Sequence, residues 1–136
     1  MNTKFNNKKD NKGKPLNNKT LRFIPLGGNG QVTKNMFVYE YENDIVLVDC
    51  GMGFPSEQLY GVDMVIPDIG YLRDKQSKIR GLLITHGHED HIGAIPYLID
   101  KLSTPIFATK LTVGLIKNKL KEANKLNTTK IIEIKP

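Results

Sequence analysis

The chain has 136 residues, enough for one domain with a modest core, and its hydrophobic fraction of 39% is slightly low for a globular protein. Its net charge of +6 lies mostly in residues 1–19, which hold six lysines, six asparagines and one aspartate, so residues 20–136 carry only +1. No apolar stretch approaches the roughly 18 residues of a membrane-spanning helix, and a single cysteine excludes an internal disulfide. One cysteine also suits a reducing compartment, so we expect a cytoplasmic protein.

The lysine- and asparagine-rich residues 1–19 are expected to form a disordered tail, because they offer almost nothing to bury against a core. The segment has no apolar stretch typical of a secretory signal and lacks the arginine- and serine-rich character of a transit peptide. Two roles remain open for it. It is either a solubilising extension or a weak electrostatic arm for a polyanion such as RNA.

The first elements after the tail are predicted to be strands of an antiparallel meander. A turn at 27–30 contains three glycines, and its alternative role as a phosphate cradle is disfavoured because no G-x-G-x-x-G frame or P-loop lysine follows. The predicted strands are 20–26, 35–41 and 45–49, followed by a long loop, a short apolar piece at 62–66 and a brief helix at 69–75.

The remaining elements alternate between strand and helix. Pro96 suits a helix whose main part begins there after an irregular first turn. Leucine or isoleucine at 111, 115, 116, 120 and 126 indicates an amphipathic helix. The predicted order is strand 79–85, helix 92–102, strand 105–108, helix 110–126 and strand 131–134. A meander followed by this alternation predicts an α/β domain with layered sheet and helices (α+β layered).

All three histidines fall within one window, His86-Gly87-His88-Glu89-Asp90-His91, which follows a buried strand. Residues two apart in an extended chain point to the same side, so His86 and His88 can bind one metal ion. Asp90 and His91 face the other way around the loop and can reach a second ion. Imidazole and carboxylate groups are typical zinc ligands, and this H-x-H-x-D-H spacing is far more specific than a single H-x-H pair.

Three neighbouring residues have alternative roles. Asp90 also lies where the predicted helix needs an N-cap, and a carboxylate can cap and bind metal at once. Asp49, at the end of a strand, either faces the active-site edge or stabilises a turn, and the sequence favours neither role. Cys50 follows that strand directly and is expected to be a small buried residue rather than a nucleophile.

From about Arg22 to Pro136 the chain resembles hydrolases of the metallo-β-lactamase fold, an αββα sandwich, and more narrowly the ribonuclease J family of β-CASP nucleases. The segment from Thr85 to Tyr97 is the most specific part of this resemblance. Other hydrolases of the fold share H-x-H-x-D-H but are not expected to share the stretches around it. The motifs that carry the resemblance are PLGG at 25–28, TKNM at 33–36, VDCG at 48–51, GVD at 61–63, IPD at 66–68 and THGHEDHIGAIPY at 85–97.

The resemblance implies a zinc-dependent ribonuclease that takes part in RNA processing, including rRNA processing, and in RNA decay. His86 and His88 would bind one Zn²⁺ and Asp90 and His91 the second, with Asp49 supporting the site and Mn²⁺ as a possible substitute. Hydroxide shared by the two metals would attack the phosphodiester. Family members cut RNA from a 5′-monophosphate end in the 5′→3′ direction, and some also cut internally. The complete protein would act on RNA, away from membranes, as a homodimer or homotetramer.

The resemblance also implies that residues 20–136 form only the first part of the sandwich, truncated before the remaining metal ligands and the β-CASP insert. We therefore expect the 136-residue chain alone to be an inactive fragment. Three alternatives remain. The complete protein could be another hydrolase of this fold with a small substrate, or the fragment could bind RNA without catalysis. It could also be an incomplete domain with an exposed sheet edge.

Overall fold

A computed structural model describes residues 20–55 and 60–135. The expected disordered tail at 1–19 lies outside these residues. The elements, in chain order, are β1 (Leu21–Gly27), β2 (Met36–Tyr41), β3 (Asp44–Val48), β4 (Ile79–Leu83), α1 (Glu89–Ile92), α2 (Ile95–Leu102), β5 (Ile106–Thr109), α3 (Lys110–Glu122) and β6 (Ile131–Ile134), with short 3₁₀ helices at Gly70–Leu72, Gln76–Lys78 and Leu126–Thr128.

The six strands form one sheet whose spatial order, β1-β2-β3-β4-β5-β6, is the order in the chain. Strands β1 to β3 pair antiparallel, whereas β3 to β6 pair parallel. The predicted meander followed by strand–helix alternation is thus confirmed, and so is the α/β fold class. Because β3 and β4 run parallel, their carboxyl ends meet at one edge of the sheet.

One face of the sheet and the helices α2 and α3 enclose the hydrophobic core. Alternation along β2 puts Met36, Val38 and Glu40 on this face, and all three are buried. The helices contribute side chains at helical spacing. The largest of the fully buried side chains are Met36, Ile45, Leu47, Leu72, Leu82, Ile92, Ile95, Leu98, Leu102, Ile106, Ile116 and Leu120.

The opposite face of the sheet is also apolar, yet many of its side chains are accessible. Phe23 is 55% exposed and stacks on Phe37 with 5.7 Å between ring centroids. The same face carries other exposed apolar residues, namely Leu21, Tyr39, Tyr41, Leu83 and Ile134. Among the described residues, no helix combines the length and apolar character needed to cross a membrane.

Three local predictions differ from the structure. The expected helix at 92–102 is two helices, because α1 ends at Ile92 and α2 starts at Ile95 with Pro96 in its first turn, as predicted for that proline. The expectation that Asp90 caps a helix was wrong, since Asp90 is the second residue of α1 and the N-cap residue is His88. A carboxylate inside the first turn still interacts favourably with the helix dipole.

The helix predicted for 110–126 ends at Glu122, and its buried face is rotated relative to the leucine pattern. Its buried residues are Thr112, Val113, Ile116 and Leu120, whereas Leu111 is 79% exposed. The predicted amphipathic pattern is therefore confirmed at Ile116 and Leu120 and wrong at Leu111, because a threonine and a valine complete the buried face.

Candidate metal centre

The histidine window lies at the edge of the sheet where the parallel strands β3 and β4 end. The backbone N–H of Asp49 donates to the carbonyl of Leu83 at 2.8 Å, which joins the ends of the two strands. His86 and His88 follow in a loop, and α1 carries the rest of the window. The four residues predicted as ligands, His86, His88, Asp90 and His91, are therefore brought to one place.

Backbone hydrogen bonds hold α1 against the segment that follows β3. Cys50 N–H donates to the carbonyl of His91 at 2.8 Å, Met52 N–H donates to that of Glu89 at 3.1 Å, and Ala94 N–H donates to that of Cys50 at 3.0 Å. These bonds use main-chain groups that side-chain substitution does not remove. The position of Asp90 and His91 is consequently set by the fold and not by their own side chains alone.

Gly51 permits this close approach. A Cβ atom built on Gly51 would lie 1.6 Å from the carbonyl oxygen of Asp90, a distance that no side chain can accept. The N–H of Gly51 donates to the carbonyl of Asn35 at 2.9 Å, so the segment after β3 is also joined to the residue that precedes β2. The V-D-C-G motif thus contains a residue required for the geometry of the site.

Asp49 is the buried centre of the polar network behind the histidines. It is 2% exposed and has a left-handed backbone with φ of 61°, a conformation that is uncommon for residues other than glycine. Its carboxylate accepts hydrogen bonds from the backbone N–H and the hydroxyl of Thr85, and from Nδ1 of His91 at 2.8 Å. The two alternatives left open by the sequence are both represented, since Asp49 stabilises the loop and contacts His91.

These contacts assign the ring protons. Because Nδ1–H of His91 donates to Asp49, Nε2 of the neutral ring is left as an acceptor. The hydroxyl of Thr85 donates its hydrogen to Asp49. The hydroxyl oxygen of Thr85 therefore accepts from Nδ1–H of His86 at 3.0 Å. Nε2 of the neutral His86 ring is then likewise an acceptor, and it lies beside Nδ1 of His88. A carboxylate that orients a histidine in this way is the usual arrangement behind a metal-binding imidazole.

The four predicted ligands form two pairs of donor atoms. Nε2 of His86 lies 3.1 Å from Nδ1 of His88, and Nε2 of His91 lies 3.3 Å from Oδ2 of Asp90. Two donors bound to one tetrahedral zinc ion at about 2.0–2.1 Å are about 3.3 Å apart, so each pair has the separation of two adjacent ligands. The rings of His86 and His91 lie 4.0 Å apart between centroids, which brings the pairs together.

No group of three or more His, Cys, Asp or Glu side chains that could enclose one ion occurs within 20–55 and 60–135. This finding agrees with the pairwise arrangement, because each pair supplies two donors and a structural zinc site normally requires four. The two donor atoms of each pair therefore match two of the four positions around a tetrahedral ion.

Two residues of the network were not identified from the sequence as site residues. Thr85 contacts Asp49 and His86, and its position directly before the first histidine could have suggested this role. Asn35 is 55 residues away from Asp90 in the chain, and its side-chain amide contacts Oδ2 of Asp90 at 3.0 Å. The TKNM motif at 33–36 contains Asn35, but its pattern does not indicate a partner 55 residues away.

Two other candidates have structural roles. Cys50 is fully buried, and burial together with the charge of Asp49 raises the pKa of its thiol far above the usual range, which excludes a reactive thiolate. The glycine-containing segment 27–30 begins at the last residue of β1 and leads into the connection to β2, as expected for a turn.

Residues 29–128 match the model of the metallo-beta-lactamase superfamily. The chain is 43% identical over 107 residues to Ribonuclease J 2 of Staphylococcus aureus (strain NCTC 8325 / PS 47), an alignment that covers 79% of this chain and 19% of the relative. The identity and coverage are the same for Ribonuclease J 2 of Staphylococcus saprophyticus. The chain thus spans 19% of the length of these curated relatives.

Among solved structures, human tRNase Z, short form, is similar with a TM-score of 0.52 and 18% sequence identity, covering 84% of this chain and 46% of that one. At this identity the likeness concerns the fold alone. It agrees with the layered sheet and helices described above.

Proposed function

The chain belongs to the metallo-beta-lactamase superfamily, and on that premise we propose that it supplies half of the two-metal site of a ribonuclease. The observation that carries the proposal is the arrangement of the donor atoms in two pairs, His86 with His88 and Asp90 with His91, separated by 3.1 and 3.3 Å. Each pair would hold one ion. Imidazole and carboxylate donors suit Zn²⁺ well, with Mn²⁺ as an alternative.

Bound divalent ions would supply an activated water and would neutralise charge that develops on the phosphoryl oxygens. The surrounding residues of this chain would orient the atoms that donate electron pairs to the metal ions. Asp49 keeps the proton of His91 on Nδ1, and Thr85 keeps that of His86 on Nδ1, so both Nε2 atoms present lone pairs. The backbone bonds from Cys50 and Met52 fix the turn that carries Asp90.

RNA is the proposed substrate, since the relatives at 43% identity are named Ribonuclease J 2. The proposed reaction is 5′→3′ exonucleolytic hydrolysis, with internal cleavage as a further activity of the same site. The complete protein is proposed to work as a homodimer or homotetramer in the cytoplasm.

Residues 20–136 are proposed to be the first part of an αββα sandwich, with residues 1–19 as a disordered tail. The open apolar face of the sheet supports this proposal, because a second sheet would bury side chains such as Phe23 and Tyr39, which are 55% and 39% exposed. The pairwise donor arrangement supports it as well, since further ligands would be required to complete either site.

The test follows zinc binding at each histidine separately. The chain is labelled with ¹⁵N in its histidine rings, stripped of metal and titrated with Zn²⁺, and the ring-nitrogen signals are recorded by NMR. We expect Nε2 of His86, Nδ1 of His88 and Nε2 of His91 to shift. Asp90→Ala should weaken the response of His91, whereas Asp63→Ala, which removes an exposed carboxylate outside the window, should not.

Activity is tested on RNA with a 5′-monophosphate. The 136-residue chain with zinc should leave this RNA intact, whereas a chain extended over the full length of the staphylococcal relatives should degrade it and lose that activity on Asp90→Ala. Histidine signals that do not respond to zinc, or an extended chain that is inactive on RNA, would refute the proposal.

A further inference from the structure

The side-chain amide of Asn35 lies among more acceptors than it can satisfy. Its nitrogen Nδ2 is 3.2 Å from the carbonyl oxygen of Val32, 3.0 Å from Oδ2 of Asp90 and 3.3 Å from Nε2 of His91. An amide nitrogen carries two hydrogens, whereas three acceptors converge on it. In the neutral ring Nε2 of His91 is an acceptor, because its Nδ1–H is donated to Asp49.

The main chain of Asn35 is independently tied to the same site. Its N–H donates to the carbonyl of Asp90 at 2.9 Å, and its carbonyl accepts from Gly51 N–H at 2.9 Å. These backbone bonds do not depend on the side chain. A substitution at this position therefore changes the amide contact while the attachment between β2 and α1 is kept.

The glycine turn fixes where the amide of Asn35 lies. A Cβ atom built on Gly28 would be 2.3 Å from Oδ1 of Asn35, so the amide fits only against a glycine. Gly28 has φ of 78°, and Gly30 has a similar φ of 73°. Nothing lies within 4 Å of a Cβ atom built on Gly30. The turn therefore has one position that contacts Asn35 and one that does not.

We propose that Asn35 is a positioning residue that holds Oδ2 of Asp90 beside Nε2 of His91 and thereby prepares this pair, and not the His86/His88 pair, to bind a divalent cation. The inference rests on the proposed function, since it assigns a task within the same metal site. Without the amide the carboxylate of Asp90 would be free to rotate, and its repulsion from the lone pair of His91 would favour that rotation.

The first test uses Asn35→Ala in the zinc titration of ¹⁵N-labelled histidines on the full 136-residue chain. Removing a hydrogen-bond partner of a metal ligand typically costs about 10- to 100-fold in affinity. We expect Zn²⁺ binding at His91 to weaken by about tenfold or more, with binding at His86 and His88 unchanged. Loss of general stability would weaken both pairs alike, so the difference between them is the decisive measurement.

A second variant at the same position, Asn35→Asp, should change the zinc-induced increase in melting temperature in the opposite direction from Asn35→Ala. It places a carboxylate oxygen where Nδ2 lies, about 3 Å from Asp90, so that two like charges face each other until a cation bridges them. The metal-free protein should melt at a lower temperature, and Zn²⁺ should raise the melting temperature more than in the wild type. The expected order of the zinc-induced increase is Asp above Asn above Ala.

Gly28→Ala and Gly30→Ala form a matched pair of variants. Both place a methyl group on a left-handed backbone position and should have a similar conformational cost. Only Gly28→Ala displaces the Asn35 amide, so only this variant should reproduce the selective loss of zinc affinity at His91.

Several results would overturn the inference. Zinc binding at His91 that is unchanged or tighter in Asn35→Ala would contradict it while leaving the proposed metal site intact. Equal weakening by Asn35→Ala and Asn35→Asp would mean that the side chain acts only in packing. Absence of any zinc response at the three histidines of the wild type would overturn both this inference and the proposed function.

Discussion

Two carboxylates are buried on the same sheet, Glu40 near the end of β2 and Asp49 just after β3. Because Glu40 pairs with Ile45 at the start of β3, the two groups lie at opposite ends of that strand. They are 6% and 2% exposed, so exposure does not distinguish them. Their hydrogen-bond partners do.

Glu40 is surrounded by cations and a hydroxyl. Lys75 Nζ donates to it at 3.0 Å, Arg22 lies 3.9 Å away, and the hydroxyl of Tyr71 donates to it in a short hydrogen bond. Lys75 also lies 3.6 Å from the centroid of the Tyr71 ring. The negative charge is compensated within the protein, and no electron pair is presented to a ligand. This end of the sheet is a structural ion pair.

Among the described residues, Asp49 accepts from the backbone N–H and the hydroxyl of Thr85 and from the imidazole of His91. Its contact with Nδ1 of His91, and its contact with the Thr85 hydroxyl that in turn accepts from Nδ1 of His86, leave Nε2 of both rings as acceptors. A buried carboxylate therefore points to a binding site when the side chains that it contacts present acceptor atoms toward a loop, as the two histidines do here. Where the partners are cations of the protein itself, as at Glu40, the charge is compensated internally and the carboxylate does not indicate a binding site.

The largest expected effect concerns the backbone contact at the Asp49 end. Gly51→Ala places a methyl group 1.6 Å from the carbonyl oxygen of Asp90, so α1 must move away from the segment after β3. We expect the free energy of unfolding to fall by more than about 3 kcal/mol, with loss of zinc binding. Urea denaturation followed by circular dichroism measures the change.

Gly114→Ala is the control for that substitution. Gly114 lies within α3, and nothing is found within 4 Å of a Cβ atom built there. The variant should be more stable than the wild type by about 0.5–1 kcal/mol, because alanine is favoured in a helix interior. Similar losses of stability in both variants would show that the close approach of Gly51 to Asp90 is not the cause.

Asp49→Asn should have the next largest effect, and it tests the assignment of the ring protons. An amide nitrogen facing Nδ1 of His91 cannot accept its hydrogen, so the proton should move to Nε2 and occupy the atom intended for metal. We expect a loss of about 2 kcal/mol in stability, together with loss of the zinc response at His91. Ring-nitrogen chemical shifts without metal report the tautomer directly, and an unchanged tautomer would contradict the assignment.

The sequence predicted much of this end of the sheet and little of its supporting contacts. The period-2 strands, the order of strands and helices and the clustering of His86, His88, Asp90 and His91 are local properties of the chain, so they could be predicted. The contact of Asn35 with Asp90 spans 55 residues and requires the tertiary fold. Gly51 could be seen in the sequence, but its closeness to the carbonyl of Asp90 could not, because that distance depends on how two loops pack.

The contacts of Glu40, at the other end of β3, were likewise not predictable from the sequence. Alternation along β2 placed Glu40 on the face of Met36 and Val38, which is the buried face. A charged residue there needs a partner, and the pattern does not name it. Tyr71 and Lys75 lie more than 30 residues further along, in and after the 3₁₀ helix Gly70–Leu72, within a predicted brief helix at 69–75 that gave no sign of an ion pair.

Glu40→Gln has the smallest expected effect, and its pH dependence separates the two ends of the sheet. The hydrogen bond from Tyr71, and then the contact with Lys75, hold the pKa of Glu40 below its ordinary value of 4.5 despite the opposing effect of burial. A carboxylate whose pKa is lowered by folding stabilises the protein above the unfolded pKa, and this contribution disappears as the pH falls through the folded value. Glu40→Gln should therefore cost about 1 kcal/mol at neutral pH, a modest loss because the Lys75 side chain is 25% exposed and can be hydrated. The cost should shrink below about pH 4.5, as measured by urea denaturation of both proteins across this range.

Zinc binding at His91 should be unchanged in Glu40→Gln, since Glu40 lies at the other end of the strand. A cost that stayed constant with pH would show that Glu40 acts through packing and not through its charge, and the contrast with Asp49 would then lose its electrostatic basis.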